Sequence, residues 1–278
     1  VYQPFICGPF TAAVVVGGAL NDPVKQTAVM SRAAEGSRCP VLAVDIGGTW
    51  IRASLFSGDW IPGPVVCERL PATRTERIDW IKRQADEWMV PRVAISTGGT
   101  VNPDTGVVEE AKPIIPDHVG TDFRAMLGDR LVVALNDGLA TAWGHACRPE
   151  FAGMRVATLA LGTGVGFGIV DRGRILMGPR GEYPRLNDAP TGLGGSYEDL
   201  LGGAELTPDP TSEQKERANK AAESAMERIE TLFWPDAVVV CGGVGLAPWL
   251  ELDAPRSPFG SKAGLYGAAA LALFPPTG

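Results

Sequence analysis

The chain is poor in the residues that build metal sites and disulfide frameworks. It has 278 residues and only five cysteines: Cys7, Cys39, Cys67, Cys147 and Cys241. These cysteines lie far apart, and none shows C-x-x-C spacing, which argues against a disulfide framework or a zinc ribbon. We therefore expect reduced thiols and a cytoplasmic location. The two histidines, His118 and His145, are too few for a histidine-rich metal site, and we expect them on the surface or in loops.

Long apolar runs and blocks of positive charge are also missing. No apolar stretch approaches the roughly 18 residues that a membrane-spanning helix needs. The net charge is −7 and the basic residues form no cluster, so we expect neither a nucleic-acid partner nor a membrane partner. What remains, 45% hydrophobic and 21% charged residues, is typical of a globular protein with one large domain or two modest ones.

Two stretches of the chain show the same order of features. Residues 41–56, VLAVDIGGTWIRASLF, predict a strand buried on both faces, a glycine turn and a return strand. Residues 158–170, TLALGTGVGFGIV, repeat that order. We infer an internal duplication that produces two lobes, each offering a glycine loop to one phosphate chain between them. Two ordinary hairpins are the alternative interpretation.

The glycine turns suit an anion because no Cβ blocks the approach to their backbone N–H groups. In the first hairpin, Gly47, Gly48 and Thr49 follow Asp45 directly. Neither loop is a Walker A motif, since no Gly-Lys-Ser/Thr follows the glycines. A strand rather than a helix follows each turn, which argues against a dinucleotide-binding fingerprint.

Polar residues and glycines follow two further predicted strands. Strand 92–97 ends at Gly98 and Gly99, and strand 131–135 ends at Asn136 and Asp137. Ligands collect at this edge of α/β sheets. Asp137 could also be a helix N-cap, a role compatible with that of a catalytic base.

The rest of the chain predicts helices and one more strand. We expect an amphipathic helix at 75–89 and a long charged helix at 211–233. Strand 237–241 precedes a third glycine turn at 242–245. A small-residue helix at 262–274 is expected to cross back to the first lobe.

Four motifs in this order resemble those of the ROK family of sugar kinases. They are DIGGT at 45–49, NDGLATAWG at 136–144, LGTGVGFG at 161–168 and VVVCGGVG at 238–245. The resemblance spans residues 41–274 and implies an α/β, two-lobed actin-like ATPase (ribonuclease H-like) fold, with duplicated mixed sheets and a cleft between the lobes. It implies an N-terminal lobe at 39–137, completed by helix 262–274, and a C-terminal lobe at 138–261.

The resemblance also implies an activity, the phosphorylation of a sugar 6-hydroxyl by ATP with Mg²⁺. Asp137 would be the general base, and Asp45 would lie near the water shell of Mg²⁺. The implied phosphate contacts are Gly47, Gly48, Thr49, Gly162, Thr163 and Gly164. The implied adenosine contacts are Gly242, Gly243 and Gly245. The implied sugar contacts are Gly98, Gly99, Asn136, Glu182 and Glu198. Homodimers are common in the family, so a homodimer is possible here.

The chain departs from the family pattern at the structural zinc site. One histidine and three cysteines bind zinc in the family. The corresponding positions here are Arg185, Ala189, Thr191 and Ser196. None offers an imidazole or a thiolate, so we predict no structural zinc. The sugar-binding asparagine of the family is not evident in residues 112–118, KPIIPDH.

The leading segment, residues 1–38, bears on the choice of sugar. Its residues 10–27, FTAAVVVGGALNDPVKQT, resemble the last strand and phosphate loop of (β/α)8-barrel enzymes that epimerise N-acetylmannosamine-6-phosphate. The chain begins with valine, so we expect it to be a piece of a longer protein or a trimmed chain, and a fusion to an epimerase domain on its N-terminal side is possible. That pairing resembles fused enzymes of sialic acid breakdown and implies N-acetylmannosamine as the substrate.

Other functions stay open beside this one. Glucose and N-acetylglucosamine are the alternative acceptors. A sugar-sensing repressor would need a helix-turn-helix and basic residues ahead of the kinase-like part, and the leading segment is strand-like in a chain of negative charge. A non-catalytic sugar-binding module is disfavoured by the retained Asp137 and glycine loops.

Overall fold

The computed structural model describes residues 39–206 and 209–276. The leading segment, 1–38, for which we expect an epimerase-like strand and loop, lies outside the described residues.

The first half of the chain forms a five-stranded mixed sheet. In spatial order the strands run β3-β2-β1-β4-β7. The first three pair antiparallel, and the last two join in parallel. Their bounds are β1 Val41–Ile46, β2 Trp50–Phe56, β3 Pro62–Arg69, β4 Val93–Thr97 and β7 Leu131–Asn136; a small hairpin, β5 Thr100–Val101 and β6 Val108–Glu110, lies between β4 and β7 in the chain. All of β1 is buried, as its run of apolar residues predicts.

The second half repeats this arrangement with a shorter sheet. Its strand order is β10-β9-β8-β11, with an antiparallel β8–β9 hairpin and a parallel β8–β11 pair. The strands are β8 Arg155–Leu161, β9 Val165–Asp171, β10 Arg174–Ile175 and β11 Ala237–Cys241. An isolated parallel bridge between Val240 and Arg256 takes the place that β7 has in the first sheet. The duplication predicted from the two glycine hairpins is therefore present in the topology.

Eight helices accompany these strands in the described ranges. They are α1 Arg74–Glu87, α2 Phe123–Leu127, α3 Asp137–Ala146, α4 Tyr197–Leu201, α5 Gly203–Leu206, α6 Ser212–Phe233, α7 Gly242–Gly245 and α8 Ala263–Leu273. Thr73 and Glu76 form a capping box that starts α1. The predicted glycine turn at 242–245 is instead one helical turn, α7.

Each half has its own apolar core. The first is built around β1 and β4 with Ile78 and Ile81 of α1, and the second lies between the shorter sheet and α6. Helix α6 presents a stripe of buried apolar residues to it: Ala218, Ala221, Ala222, Ala225 and Ile229. Their helical spacing explains why so charged a helix still packs tightly on one face. Within the described part of the chain, no helix is both long and apolar enough to cross a membrane.

Helices α3 and α8 join the two halves. Helix α3 follows β7, and α8 follows the bridge at Arg256 that corresponds to β7 in the second half. The two helices cross at a position where both carry glycine. A Cβ placed on Gly267 would lie 2.3 Å from the carbonyl oxygen of Ala140, and one on Gly144 would lie 3.0 Å from the Gly267 Cα. Because these contacts leave no space for a side chain, the helix backbones touch. Helix α8 packs on the first sheet, through residues such as Leu265 and Ala268.

The expectation that both histidines lie on the surface or in loops holds for His118, which lies in the loop between β6 and α2, and is wrong for His145, which lies in α3. His118 is 2% exposed and His145 is fully buried. His145 Nδ1 lies 2.8 Å from the carbonyl oxygen of Thr141, and Nε2 lies 2.8 Å from Ser257 Oγ. Since a carbonyl only accepts, Nδ1 carries the proton, and the neutral ring accepts from Ser257. Burial lowers the pKa of His145 to about 4.

Candidate active site

A cleft of about 720 Å³ lies between the two halves. Both glycine hairpins line it, one from each side, together with the carboxyl ends of β4 and β7. Of the residues predicted for nucleotide, sugar or catalysis, the cleft is lined by Asp45, Gly47, Gly48, Thr49, Gly98, Gly99, Asp137, Gly162, Thr163, Gly164, Glu198, Gly242 and Gly243. Residues up to 198 positions apart thus meet at one site.

In each glycine loop the N–H of the first glycine forms a backbone hydrogen bond within the turn. Gly47 N–H donates to the Trp50 carbonyl at 3.0 Å, and Gly162 N–H donates to the Gly164 carbonyl at 2.9 Å. These two amides are occupied in the turns and do not face a ligand. The loops approach each other through the hydroxyls of Thr49 and Thr163, which lie 3.3 Å apart.

Asp137 is the first residue of α3 and stands at the end of β7. Its Oδ1 accepts from the Gly138 N–H at 2.8 Å and from Asn136 Nδ2 at 3.2 Å. Burial, followed by the negative charge of Asp45, raises the pKa of Asp137 to about 6. The carboxyl group is therefore oriented through one oxygen and is a stronger base than an ordinary aspartate.

Asp45 lies near the end of β1, at the same edge of the first sheet as Asp137. Its carboxylate is held by Arg52 and by the Ser96 hydroxyl, each at 3.3 Å. Burial raises its pKa, and Arg52 acts in the other direction. A Cβ placed on Gly264 would lie 2.3 Å from Asp45 Oδ1, so only glycine allows the start of α8 to come this close.

The end of the cleft for which the resemblance implies a nucleotide includes a segment that the sequence motifs did not indicate. The N–H groups of Gly203 and Ala204 donate to the carbonyls of Gly162 and Thr163 at 2.8 and 3.0 Å. A Cβ on Gly203 would lie 2.4 Å from the Gly162 oxygen, so the segment packs directly on the second loop. In the sequence, only the glycine pair Gly202-Gly203 after α4 could have indicated that this segment approaches the loop so closely. Opposite it, Gly243 faces open space.

Gly98, Gly99 and Glu198, for which the resemblance implies sugar contacts, line the same cleft. Gly99 has a φ of +95° and a Cβ there would lie 2.5 Å from the Glu110 carbonyl oxygen, so only glycine fits. Glu198 Oε2 accepts from the Val165 N–H at 2.9 Å, which places its carboxylate over the second glycine loop. Burial raises the pKa of Glu198.

Three predicted site residues do not line the cleft. Asn136 is the N-cap of α3: its Oδ1 accepts from the Leu139 N–H, and its Nδ2 donates to the Gly99 carbonyl at 2.9 Å. The carboxylate of Glu182 is instead taken up by the Arg180 backbone and guanidinium, at 2.8 and 2.9 Å. Gly245 lies behind the wall, where a Cβ would meet Val240.

The four positions at which the family resemblance implied zinc ligands hold other interactions. Thr191 Oγ1 donates to the Gly195 carbonyl at 3.1 Å, and Ser196 caps α4 through a capping box with Asp199. Ala189 packs on the second core, and Arg185 pairs with Glu110. This set does not fit a zinc ion, and no cluster of three potential metal ligands occurs in the described ranges.

Lys112, Ile114 and Tyr183 also line the cleft, and the sequence motifs did not indicate them. Lys112 Nζ lies 2.7 Å from Asp188 and 3.8 Å from Glu198. Ile114 covers Gly48, where a Cβ would lie 2.2 Å from its Cγ2. In the sequence, residues 112–118 differ from the family pattern by lacking its sugar-binding asparagine. Their position in the cleft depends on contacts with residues far along the chain.

The fold and the cleft define a two-lobed protein of the actin-like ATPase class. A ROK family glucokinase from Streptomyces griseus, solved with glucose and AMPPNP, superimposes with a TM-score of 0.71 at 24% identity. That match covers 84% of this chain and 99% of the glucokinase. It confirms the predicted fold class. The model of the ROK family matches residues 41–186, about half of the sequence, and the chain belongs to the ROK family.

Curated relatives include kinases for different sugars. The bifunctional enzyme NanE/NanK of Brucella melitensis is 28% identical over 90% of this chain and 54% of its own length. A glucokinase from Aeropyrum pernix is 30% identical over 51% of this chain and 46% of its own. An N-acetylmannosamine kinase from Escherichia coli is 27% identical over half of each chain. The chain spans about half the length of these relatives.

Proposed function

We propose that this chain transfers the γ-phosphoryl group of ATP to the 6-hydroxyl of N-acetylmannosamine. The observation that carries a kinase function is the position of Asp137. Its raised-pKa carboxyl lies in one cleft with both glycine loops and with Gly99 and Glu198. A base placed between a phosphate cradle and an acceptor pocket suits phosphoryl transfer, which depends on positioning and charge neutralisation.

Asp137 takes the proton in this proposal. The 6-hydroxyl proton passes to Asp137 Oδ2, since Oδ1 is occupied by Gly138 and Asn136. The hydroxyl oxygen forms the bond to the γ-phosphorus, and the bond from that phosphorus to the bridging oxygen of ADP breaks. A base with a pKa of about 6 is ionised at neutral pH and still accepts a proton more readily than an ordinary aspartate.

The residues present fit ATP and Mg²⁺. We assign the phosphate contacts to the amides of Gly48, Thr49, Thr163 and Gly164, because those of Gly47 and Gly162 are occupied within their turns. Gly242 and Gly243 would face the adenosine. Mg²⁺ neutralises charge on the phosphates when bound, and Asp45 and Asp137 are the carboxylates that would hold its water shell.

The choice of N-acetylmannosamine rests on the relatives. The chain is similar along 90% of its length to a bifunctional enzyme and along half of it to an N-acetylmannosamine kinase. We propose a place in sialic acid catabolism, a fused epimerase domain on the N-terminal side and a cytoplasmic, homodimeric enzyme. The division into lobes at 39–137 and 138–261 belongs to the same proposal, with helix 262–274 completing the first lobe.

A glucokinase is the second candidate. The similarity to the Aeropyrum glucokinase favours it. A sugar-sensing regulator or binding module would keep the pocket and lose turnover.

The experiment is ADP release with Mg-ATP and a panel of N-acetylmannosamine, N-acetylglucosamine, glucose and fructose. We expect the highest kcat/KM with N-acetylmannosamine and loss of turnover in Asp137→Asn. A preference for glucose would support the kinase activity and refute the assignment to sialic acid catabolism. Sugar binding without turnover of any sugar would refute the proposed kinase activity.

A further inference from the structure

Two ion pairs of opposite direction cross the acceptor end of the cleft. Arg185, from the second half, donates through Nη1 to Glu110 Oε1 at 2.7 Å, and its Nη2 contacts Glu110 Oε2. Lys112, from the first half, lies 2.7 Å from Asp188 Oδ1. All four side chains line the cleft. The second half supplies the cation of one pair and the first half supplies the cation of the other, so each half contributes one cation and one anion.

Both sides of these pairs are anchored to a core. Leu186, between Arg185 and Asp188, belongs to the buried core of the second half. Val108, in the same strand as Glu110, belongs to the core of the first half. The backbones also touch, because a Cβ on Gly181 would lie 2.0 Å from the Val101 carbonyl oxygen. The pairs therefore connect two packed bodies rather than two loose loops.

The pairs are continuous with the residues proposed to bind the acceptor. Arg185 Nη2 donates to Thr100 Oγ1 at 3.4 Å, directly after Gly99. Lys112 lies 3.8 Å from Glu198 Oε2, the oxygen that accepts from the Val165 N–H. A fork of two parallel N–H···O bonds, as between Arg185 and Glu110, constrains direction as well as distance. The pairs thus restrain both sides of the acceptor pocket.

We propose that Glu110, Lys112, Arg185 and Asp188 form an acceptor latch, a set of positioning residues that holds residues 178–198 against the β5–β6 hairpin. The latch keeps Glu198 and Gly99 at the spacing that the acceptor sugar requires. It acts by charge and takes no metal. The kinetic part of this inference rests on the proposed function, and the structural part does not.

The decisive variants reverse charge on the full chain. We compare Glu110→Arg, Arg185→Glu and the double exchange, in which both substitutions are combined. The milder variants Glu110→Gln and Lys112→Met are included in case a charge reversal prevents folding. The matched control is Asp86→Asn. Asp86 forms an exposed ion pair with Arg130 at 2.6 Å and does not line the cleft.

Hydrogen–deuterium exchange of peptides covering residues 178–198 tests the latch without any substrate. We expect each single variant to speed exchange there by about tenfold, corresponding to about 1.4 kcal/mol of opening free energy. The double exchange and the Asp86→Asn control should match the unaltered chain. Unchanged exchange in the single variants, or a double exchange no better than either single, would overturn the latch.

Steady-state kinetics then separates positioning from general damage. We expect the single variants to raise the acceptor KM by about tenfold and the ATP KM by less than about twofold, with recovery in the double exchange. An equal rise in both KM values would overturn a role at the acceptor. If the unaltered chain phosphorylates no sugar, the proposed function fails while the exchange measurement still decides the latch.

Discussion

The hydroxyls of Thr49 and Thr163 lie 3.3 Å apart, although the two residues are 114 positions apart in the chain. Each is part of a glycine turn that ends a buried hairpin strand, one in each half of the molecule. The contact joins the two turns into one cradle, so a bound phosphate chain would meet both halves at once.

Removing one of the hydroxyls should weaken the cradle. We expect Thr163→Val, which keeps the shape of the side chain, to raise the ATP KM by about five- to tenfold because a polar contact near the phosphates is lost. The acceptor KM should stay within about twofold. Initial rates with varied ATP measure this, with Thr105→Val in an exposed turn as the control. An equal effect in both variants would contradict the role.

The rate should depend on the protonation of Asp137. Its pKa is raised to about 6 by burial and by Asp45, and a general base works only when ionised. We therefore expect kcat to fall by about tenfold per pH unit below about pH 6. Asp45→Asn removes the repelling charge, so in this variant the pKa of Asp137 should fall and the residual activity should persist to lower pH. An acid limb at the same pH in both proteins would count against this assignment.

The buried His145 should make folding stability depend on pH. Its pKa is about 4 in the folded chain against 6.5 for an ordinary histidine, because the charged ring would lose its solvation. The unfolded chain takes up the proton first, so stability is present above about pH 6.5 and is lost as the pH falls towards about 4. We expect a loss on the order of 2 kcal/mol at pH 5 from this residue.

Urea unfolding at pH 7.5 and pH 5 measures that loss. His145→Gln should be less stable at pH 7.5, because the bonds to Thr141 and Ser257 change, but should lose less between the two pH values. Equal losses in both proteins would exclude His145 as the source.

The loop after Ala189 should hold its shape without metal. Thr191 and Ser196 bond within the loop, and neither is a zinc ligand. We expect 1,10-phenanthroline to leave Tm unchanged, whereas Ser196→Ala should cost about 1 kcal/mol through loss of the α4 N-cap. Thermal unfolding with and without the chelator, and zinc analysis of the purified chain, provide the test. A Tm lowered by the chelator would refute the prediction.

The elements with strong local signals were predicted well. Helix α6, expected at 211–233, runs over Ser212–Phe233 after the Thr211 N-cap, and α8, expected at 262–274, runs over Ala263–Leu273. The glycine hairpins were predicted because strand, turn and strand are neighbours in the chain. At 242–245 the same reasoning was wrong, since three glycines permit either a turn or a helical turn, and packing on Leu161 selects the latter.

The hydrogen-bond partners of side chains were not evident from the sequence. Glu182 and Asn136 were both expected to reach the sugar. Glu182 binds Arg180, two residues away, and Asn136 serves as a helix cap. The position of His145 was predicted wrongly because a polar side chain is buried when it finds partners, and its partner Ser257 is 112 residues away. A sequence pattern does not reveal such partners.

By itself, the sequence determined the repeated strand–turn–strand units, the cradle glycines and the place of Asp137 at the end of a strand. These follow from short-range geometry, since alternation, capping and glycine conformations act over a few residues. Only the tertiary structure decided which charges face each other across the cleft. Arg185 with Glu110 and Lys112 with Asp188 are separated by about 75 residues of chain, and their meeting depends on how α3 and α8 pack the two halves together. Charge pairing across a cleft is a property of that packing, because an exposed charge has many possible partners until the fold brings one of them within reach.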